Sequence, residues 1–375
     1  MNNVKHILSA AVLALASSAP TWAILGSDMP PPPSKDAPAA SVTPAAAVAG
    51  SAIAKARPIK AVIIAMFGPE AEPFIKPLAL TQTMQVPGLA QGFNEPEFEP
   101  RLLCNKDDVC LLQAGMGHAN VAASVMALTL DPQFDLTRSY FLIAGVAGID
   151  PAQGTIGSAT WSRYLVDIGI AHEIDAREMP KDWKSGYFGI FTKGPGEKPK
   201  LDYRTEVAQL DEALLQKVLA LTKNAKLEDS DKAAAYRKLY KEPAARAKPS
   251  VIQCDTLGGD TWWHGHRLGQ HARDWTKLLS DGKATYCTTQ QEDNATYNAL
   301  QRAAKAGKVD LKRLAVLRTG INFDRPHPGQ SAYDSLKSDG GGFLTSTHNL
   351  YHTGGLVIDD IVKHWDQWRD RVPAP

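Results

Sequence analysis

The sequence lacks long hydrophobic runs and lacks an excess of charge of either sign. Beyond residue 23, no apolar stretch reaches the ~18–20 residues that a membrane-spanning helix needs. We therefore expect no membrane span in the mature chain, which excludes a helical channel or carrier. A formal net charge of +1 is far from the basic surface that nucleic acids and acidic membranes require, so we expect no nucleic-acid partner.

Cysteine is scarce, with four residues in the chain, and none stands at the Cys-x-x-Cys spacing of zinc or redox sites. Cys104 and Cys110 flank a turn-rich segment, residues 105–108, between two apolar runs. This arrangement predicts a hairpin closed by a Cys104–Cys110 disulfide. Cys254 and Cys287 would then form a second disulfide. Such bridges are typical of oxidising compartments.

The first residues predict export. Lys5 precedes the apolar run Ile7–Ala16, and the small residues Thr21 and Ala23 follow at the offsets of a cleavage site. This pattern is typical of a secretory signal peptide, here residues 1–23. An uncleaved anchor is the alternative. We expect a periplasmic or secreted protein.

The remaining chain divides by composition. Residues 24–57 are rich in proline and alanine, which predicts a disordered tether. Residues 58–375 contain no second linker and are predicted to form one domain. Within that domain, residues of about 179–249 carry charged runs with helical periodicity, which predicts a helical insertion.

Short, continuous apolar runs predict buried strands at Ile59–Met66, Val109–Gln113 and Phe141–Ala144. Helical segments lie between them, for example Ala119–Leu130. This alternation predicts an α/β fold whose central sheet is mixed but mostly parallel and is flanked by helices.

Glycine-rich or polar clusters follow four of the predicted strands, and a fifth cluster precedes a helix. The cluster at residues 145–148 predicts a turn of small residues where the backbone approaches a ligand closely; tight packing is the alternative. Because ligands bind at the carboxyl ends of strands in open α/β sheets, we expect the clusters to meet in one site. They occupy residues 68–70, 115–118, 145–148, 290–294 and 318–325.

In this order the clusters resemble the nucleoside phosphorylase and nucleosidase superfamily, and within it the purine nucleoside permease family. The similar motifs are Met-Phe-x-Pro-Glu, Gly-x-Gly-His-Ala-Asn, Gly-x-Ala-Gly-x-x-Pro, Gln-Glu-Asp and Arg-Thr-x-x-Asn-Phe-Asp-Arg. The resemblance covers most of residues 58–370. It implies a phosphorylase-like domain, a purine nucleoside as ligand and a homo-oligomer.

The resemblance also implies the floor of a nucleoside pocket. Gly145, Ala147 and Gly148 would lie under the ribose and the base. Glu292 would hold the ribose hydroxyls with its carboxylate and so assist the sugar in carrying oxocarbenium character. The alternative for Glu292 is a carboxylate that caps the start of a helix.

The same resemblance implies catalytic roles. Asn322 and Asp324 are the candidates for contact with purine N7, with loop capping as the alternative. An asparagine can stabilise the base only by hydrogen bonding and cannot protonate it, so the source of the proton for the leaving base stays open. Glu70 would hold an attacking water, or alternatively would stabilise a helix dipole. Arg318 would brace the site.

Phosphate is the point at which the chain departs from its relatives. Some phosphorylases of the superfamily place an arginine just before the glycine cluster and a serine within it, whereas this chain has Ile143 or Ala144 at the first position and Val146 at the second. The backbone N–H groups of Gly115 and Gly117 at a helix start could bind an oxyanion instead. His118 could assist, or could be structural. We predict no cofactor, and phosphate stays open as a co-substrate.

The segment Asp260–His266 carries two tryptophans and two histidines. Trp262 and Trp263 would either stack on a base or, as we favour, anchor the insertion. His264 and His266 have a spacing that suits a metal site in a strand or loop, but no partner completes a ligand set. We predict no metal.

Three functions remain from the sequence. The favoured hypothesis is an exported phosphorylase or nucleosidase that cleaves the N-glycosidic bond of purine nucleosides. The alternative is a protein that captures nucleosides for uptake without cleaving them. A scaffold that has kept the fold and lost its chemistry is the third.

Overall fold

The computed structural model describes residues 55–89 and 99–374. The predicted signal peptide, and the predicted tether up to residue 54, lie outside the described residues. Among the described residues, no helix combines the length and the apolar character needed to cross a bilayer.

The strands of the described residues are short except for two. In chain order they are β1 (Arg57–Pro58), β2 (Ala61–Ala65), β3 (Gln82–Met84), β4 (Arg101–Cys104), β5 (Val109–Gln113), β6 (Phe134–Asp135), β7 (Tyr140–Ile149), β8 (Ala159–Trp161), β9 (Tyr164–Asp167), β10 (His172–Glu173), β11 (Tyr187–Phe188), β12 (Val207–Gln209), β13 (Val251–Gln253), β14 (Asp255–Gly258), β15 (Tyr286–Gln290) and β16 (Leu314–Phe323).

Helices pack on both faces of the central sheet. In chain order they are α1 (Gly68–Ile75), α2 (His118–Leu130), α3 (Glu212–Thr222), α4 (Asp231–Arg237), α5 (Pro243–Arg246), α6 (His266–Leu279), α7 (Asp293–Lys305), α8 (Ala332–Lys337), α9 (Phe343–Lys363) and α10 (Trp365–Trp368). Leu311–Arg313 form a short 3₁₀ helix before β16.

The central sheet is mixed, as predicted. Its main path runs β12-β9-β14-β15-β7-β2-β5-β4-β3, and β16 pairs with both β7 and β8. Strands β5, β2, β7 and β16 are parallel neighbours, whereas β15 is antiparallel to β7, and β4 is antiparallel to β5. The α/β prediction is confirmed.

Alternate residues of β2 face opposite sides of the sheet and enter two separate cores. Ile64 packs with Val125 of α2 in a cluster on one face. Ile63 packs with Phe74 of α1 and Ile358 of α9 on the other face. Because both faces are covered by helices, β2 is a continuous apolar run, which is why the sequence predicts it well.

Strand β7 pairs with three neighbouring strands, and its carboxyl end lines the cleft described below. Strand β16 pairs with one edge of β7 over Phe141–Ile149. The opposite edge is shared: β2 pairs with Tyr140–Ile143, and β15 pairs with Gly148 and Ile149. Residues 144–147 therefore lie between the end of β2 and the end of β15, where side chains rather than strands approach the backbone.

Both predicted disulfides are present. Cys104 joins Cys110 across the β4–β5 hairpin, and Cys254 joins Cys287 near the starts of β14 and β15. The first is a local closure of the hairpin predicted from the turn-rich spacing. The second links two strands whose carboxyl ends lead to the site.

The segment predicted as a helical insertion holds α3, α4 and α5. It also contains the strands β11 and β12, and β12 pairs antiparallel with β9 at the end of the central sheet. The charged periodicity of residues 211–240 identified the helices, whereas the shorter strands before them carry no comparable pattern.

Candidate functional site

A cleft of about 780 Å³, including its open mouth, lies at the carboxyl ends of β2, β7 and β15. All five clusters of the sequence analysis contribute to its lining, so the prediction that they meet is confirmed by the fold. The lining residues are Met66, Phe67, Glu70, Met116, Val146, Ala147, Gly148, Thr261, Trp262, Trp263, His264, Thr289, Gln290, Gln291, Glu292, Arg318, Ile321, Asn322, Asp324 and Phe343.

The prediction of a turn at residues 145–148 is wrong, because β7 continues through these residues as a strand to Ile149. The two glycines serve close approach rather than a turn. A Cβ on Gly145 would lie 2.9 Å from Glu70 Oε1 and from Arg318 Cζ. Gly145 is therefore buried beneath these side chains, while Ala147 and Gly148 line the cleft.

Glu70 reaches the backbone of β7 from the first turn of α1. Its Oε2 accepts a 2.8 Å hydrogen bond from the Met66 N–H, and its Oε1 accepts one of 2.8 Å from the Val146 N–H. Burial raises the pKa of this carboxyl from 4.5 to about 7; Arg318 opposes the rise and Glu292 adds to it. Glu70 thus titrates near neutral pH inside the cleft.

Arg318 is the centre of a buried charge network. Its Nη2 lies 2.6 Å from Asp293 Oδ1 and 3.1 Å from Glu292 Oε2. Its Nη1 donates to the Val146 carbonyl over 2.9 Å. We call Glu70, Glu292, Asp293 and Arg318 the carboxylate wall. The predicted bracing role of Arg318 agrees with these contacts.

Glu292 faces the cleft and does not cap its own helix, α7, with its side chain. Gln290 Oε1 instead accepts the N–H groups of Glu292 and Asp293 at the start of α7. Glu292 Oε1 accepts the Gly117 N–H over 3.2 Å. Glu292 therefore does not cap its own helix α7, but it does satisfy an N–H group at the start of α2, and Arg318 holds the same carboxylate at the cleft.

Asn322 and Asp324 both line the cleft, but they differ in availability. Asp324 is buried, and its oxygens accept from Arg325 Nε at 2.6 Å and from the Tyr286 hydroxyl at 2.7 Å. Burial raises the pKa of Asp324, and the pair with Arg325 opposes the rise. Asn322 is half-buried, and its amide donates to the Phe323 carbonyl over 3.1 Å.

The start of α2 differs from the predicted oxyanion site. The Gly115 N–H donates to the Met66 carbonyl over 3.1 Å, and the Gly117 N–H donates to Glu292. The His118 N–H donates to Asp260 Oδ1 over 2.8 Å. Two carboxylates thus occupy the positive end of this helix dipole.

His118 itself does not line the cleft. Its side chain borders a neighbouring groove together with Asp167 and Asp260. Gly115 and Gly117 likewise contribute backbone that shapes the cleft rather than lining it, while Met116 between them does line it. A positive φ at both glycines explains the residue type there.

The segment after β14 lines the cleft, in line with the alternative that its tryptophans stack on a base and against the favoured anchoring role. Trp262, Trp263 and His264 all border the cleft, but Trp263 is mostly buried against Tyr286, with ring centroids 6.2 Å apart. Trp263 packs with Trp275 and Tyr286 rather than with the insertion at residues 179–249, and Trp262 is largely exposed, so the favoured prediction that the two tryptophans anchor the insertion is wrong. The cleft position of His264 was not predicted, and the available signal was that the segment follows a strand of the same sheet.

Comparison with known proteins identifies the family. A model of the purine nucleoside permease family matches residues 58–373. The chain belongs to the purine nucleoside permease family. It is 38% identical over 315 residues to a purine nucleoside permease of Candida albicans, covering 82% of this chain and 76% of that protein. It is 37% identical over 321 residues to a probable purine nucleoside permease of Schizosaccharomyces pombe, covering 82% of this chain and 90% of that protein.

One solved structure with similarity is the 5′-methylthioadenosine/S-adenosylhomocysteine nucleosidase from Neisseria meningitidis. The identity is 12%, the match covers 80% of this chain and 99% of that chain, and the TM-score is 0.47. With a TM-score of 0.47 and 12% identity, this similarity says nothing about the activity of the chain. The family membership predicted from the five motifs is nevertheless confirmed, and the cleft of this purine nucleoside permease family member is built from those motifs.

Proposed function

We propose that the cleft binds a purine nucleoside and cleaves its N-glycosidic bond with water. The observation that carries this proposal is Glu70, a buried carboxyl with a pKa of about 7 that lines the same cleft as Glu292. A general base works best when its pKa is near the working pH. The family name supports the nucleoside as ligand.

The reaction divides between these two carboxylates. Glu70 takes a proton from a water molecule as its oxygen attacks the anomeric carbon of the ribose. The bond from that carbon to the purine nitrogen breaks, and its electron pair leaves with the base. Glu292 accepts hydrogen bonds from the ribose hydroxyls and stabilises the oxocarbenium character of the sugar. The proton on Glu70 returns to solvent, and the base takes up one from solvent.

Water is favoured over phosphate because the groups that would bind phosphate have partners. The N–H groups of Gly115 and Gly117 donate to Met66 and Glu292. Among the cleft-lining residues of the described chain, the permanent cation is Arg318, which is held by Asp293, Glu292 and the Val146 carbonyl. A phosphate would have to compete with two buried carboxylates for it.

At the base, the cleft offers hydrogen bonding rather than a proton donor. Asp324 is held by Arg325 and Tyr286, so we assign contact with purine N7 to the Asn322 amide. An amide stabilises negative charge on the departing base without protonating it. We therefore expect slower cleavage than a positioned acid would give.

Capture of nucleosides for uptake is the second candidate function. The observation that favours it is that both oxygens of Asp324 already accept hydrogen bonds from Arg325 and Tyr286. A binding protein needs the same cleft but no proton donor. Export is part of both proposals: the predicted signal peptide and the two disulfides are typical of proteins in oxidising compartments.

The test is to incubate the purified protein with inosine, adenosine and guanosine, with and without phosphate, and to measure free base and the sugar product. We expect free base and unphosphorylated ribose at the same rate in both buffers. Ribose 1-phosphate formed only with phosphate would overturn the hydrolytic proposal in favour of phosphorolysis. Binding by calorimetry without any base release would leave capture.

A further inference from the structure

The segment of residues 259–265, which we call the strap, joins β14 to α6 along the cleft. Its first half is attached to the carboxylate side of the site. The Gly259 N–H donates to the Gln290 carbonyl over 3.1 Å. The Asp260 carbonyl accepts from Gln291 Nε2 over 2.6 Å, and its carboxylate accepts the His118 N–H.

The second half of the strap is attached to the end of β16, at Asp324. The Gly265 N–H donates to the Asp324 carbonyl over 2.9 Å, and Gly265 has a φ of 121°, which favours glycine. The strap is thus fixed at both ends to elements that line the cleft. A rigid backbone of this kind can hold side chains in place for a ligand.

Neighbouring tryptophans of the strap point to different surroundings. Trp263 is buried and belongs to an apolar cluster with Trp275 and Tyr286. Trp262 is 68% exposed while lining the cleft. So large an exposed aromatic surface contributes little to the core, but it offers a face on which a heteroaromatic ring can stack.

His264 borders the cleft beside it. Neither of its ring nitrogens has a hydrogen-bond partner among the described residues, although both are shielded from solvent. Burial lowers the pKa of His264 to about 4, and Arg325 and His266 contribute. The ring is therefore neutral near pH 7, with one donor and one acceptor. Rotation about the Cβ–Cγ bond can turn either toward a ligand without breaking a protein hydrogen bond.

We propose that the strap recognises the base of the nucleoside: Trp262 stacks on the purine ring and His264 hydrogen-bonds its polar edge. This inference rests on the proposed function and adds the residues that select the base. The chemistry of the two sides supports it. The carboxylate wall presents ionic oxygen acceptors that suit ribose hydroxyls, whereas the strap presents an aromatic face and a neutral ring that suit a purine.

The test is calorimetric titration of the full chain with adenosine and, separately, with the free base adenine. The variants are Trp262→Ala, Trp262→Phe and His264→Ala. Phe191→Ala and His266→Ala are the matched controls, because both side chains are exposed and neither lines the cleft. Thermal unfolding of each variant checks that it is folded.

We expect Trp262→Ala and His264→Ala each to weaken binding of both ligands about tenfold. Trp262→Phe should stay within about threefold of the unmodified protein because it keeps a stacking face. Glu292→Gln should weaken the binding of adenosine more than that of adenine, because only adenosine carries the ribose hydroxyls that Glu292 would hold. This crossed pattern is one that a merely structural role of the strap would not produce.

Two negative results are distinguishable. If the unmodified protein binds none of adenosine, inosine and guanosine, the proposed function fails and this inference with it. If it binds them, and Trp262→Ala and His264→Ala bind adenine as tightly as the controls do, the inference alone is overturned.

Discussion

The two sides of the cleft satisfy their polar groups in opposite ways. In the carboxylate wall, Arg318 contacts Asp293, Glu292 and the Val146 carbonyl, and both oxygens of Glu70 accept backbone N–H groups. The strap instead holds His264 without a hydrogen-bond partner among the described residues.

The difference suggests a division of labour. A saturated, buried network costs no reorganisation when charge develops on a sugar, which is what electrostatic stabilisation of a reaction requires. Unpartnered neutral groups and an exposed aromatic ring are available to a ligand. We infer that chemistry belongs to the wall and selection of the base belongs to the strap. Removing individual groups on either side tests that division.

Removing the general base, Glu70, should have the largest effect on the rate of cleavage. Glu70→Gln is expected to lower the rate of base release about 10²–10⁴-fold, since it removes the group that takes the proton from water. Glu72→Gln is the matched control in the same helix, because Glu72 is exposed and pairs with Arg101 at the surface. Equal rates for Glu70→Gln and the unmodified protein would assign the chemistry elsewhere.

Removing the central cation should destabilise the wall. Arg318→Met leaves the buried carboxylates of Asp293 and Glu292 without their counter-charge, which we expect to lower the free energy of unfolding by about 3–5 kcal/mol. Urea denaturation measures this. Arg163→Met removes an exposed pair with Glu212 and should cost less than about 1 kcal/mol. Similar losses for the two variants would show that the wall is not a buried network.

The Cys254–Cys287 disulfide links the strands that lead to the two sides of the cleft. Strand β14 leads to the strap, and β15 leads to Glu292 of the carboxylate wall. Replacing both cysteines with serine should lower the free energy of unfolding by about 2–4 kcal/mol. The pair spans 33 residues, whereas Cys104–Cys110 spans 6, so the same replacement there should cost less. A reversed order would contradict the loop-closure argument.

A further effect concerns the dependence of stability on pH. Because the folded pKa of Glu70 is raised from 4.5 to about 7, the folded state holds the extra proton between these values. The contribution of Glu70 is fully present below about pH 4.5 and is lost as the pH rises through about 7. The melting temperature of the unmodified protein should therefore fall more between pH 5 and pH 8 than that of Glu70→Gln. Parallel curves would refute the raised pKa.

The sequence predicted the elements that depend on local pattern. The runs at Ile59–Met66 and Val109–Gln113 became β2 and β5 because strands buried on both faces are continuously apolar. The convergence of the five clusters also followed, since strand ends of one sheet meet at one edge. The turn predicted at residues 145–148 was wrong because small residues there accommodate Glu70 and Arg318, which lie far away in the chain.

Contacts between distant segments were beyond reach from the sequence. Asp324 is closed by Tyr286, 38 residues earlier, as well as by its neighbour Arg325. The start of α2 is occupied by Glu292 and Asp260, more than a hundred residues away. Such pairings depend on which strand ends become neighbours. The periodicity of the sequence does not show which strand ends become neighbours. Only the fold therefore shows which predicted site residues are free to contact a ligand and which already have protein partners.

The most direct test of the account is the pH dependence of kcat/KM for base release from inosine, measured without phosphate between pH 5 and pH 9. If Glu70 is the base, the value rises with pH, levels off above an apparent pKa near 7, and loses this dependence in Glu70→Gln. A value that is flat or falls as the pH rises, or no base release at any pH, would contradict the assignment of the chemistry to the carboxylate wall.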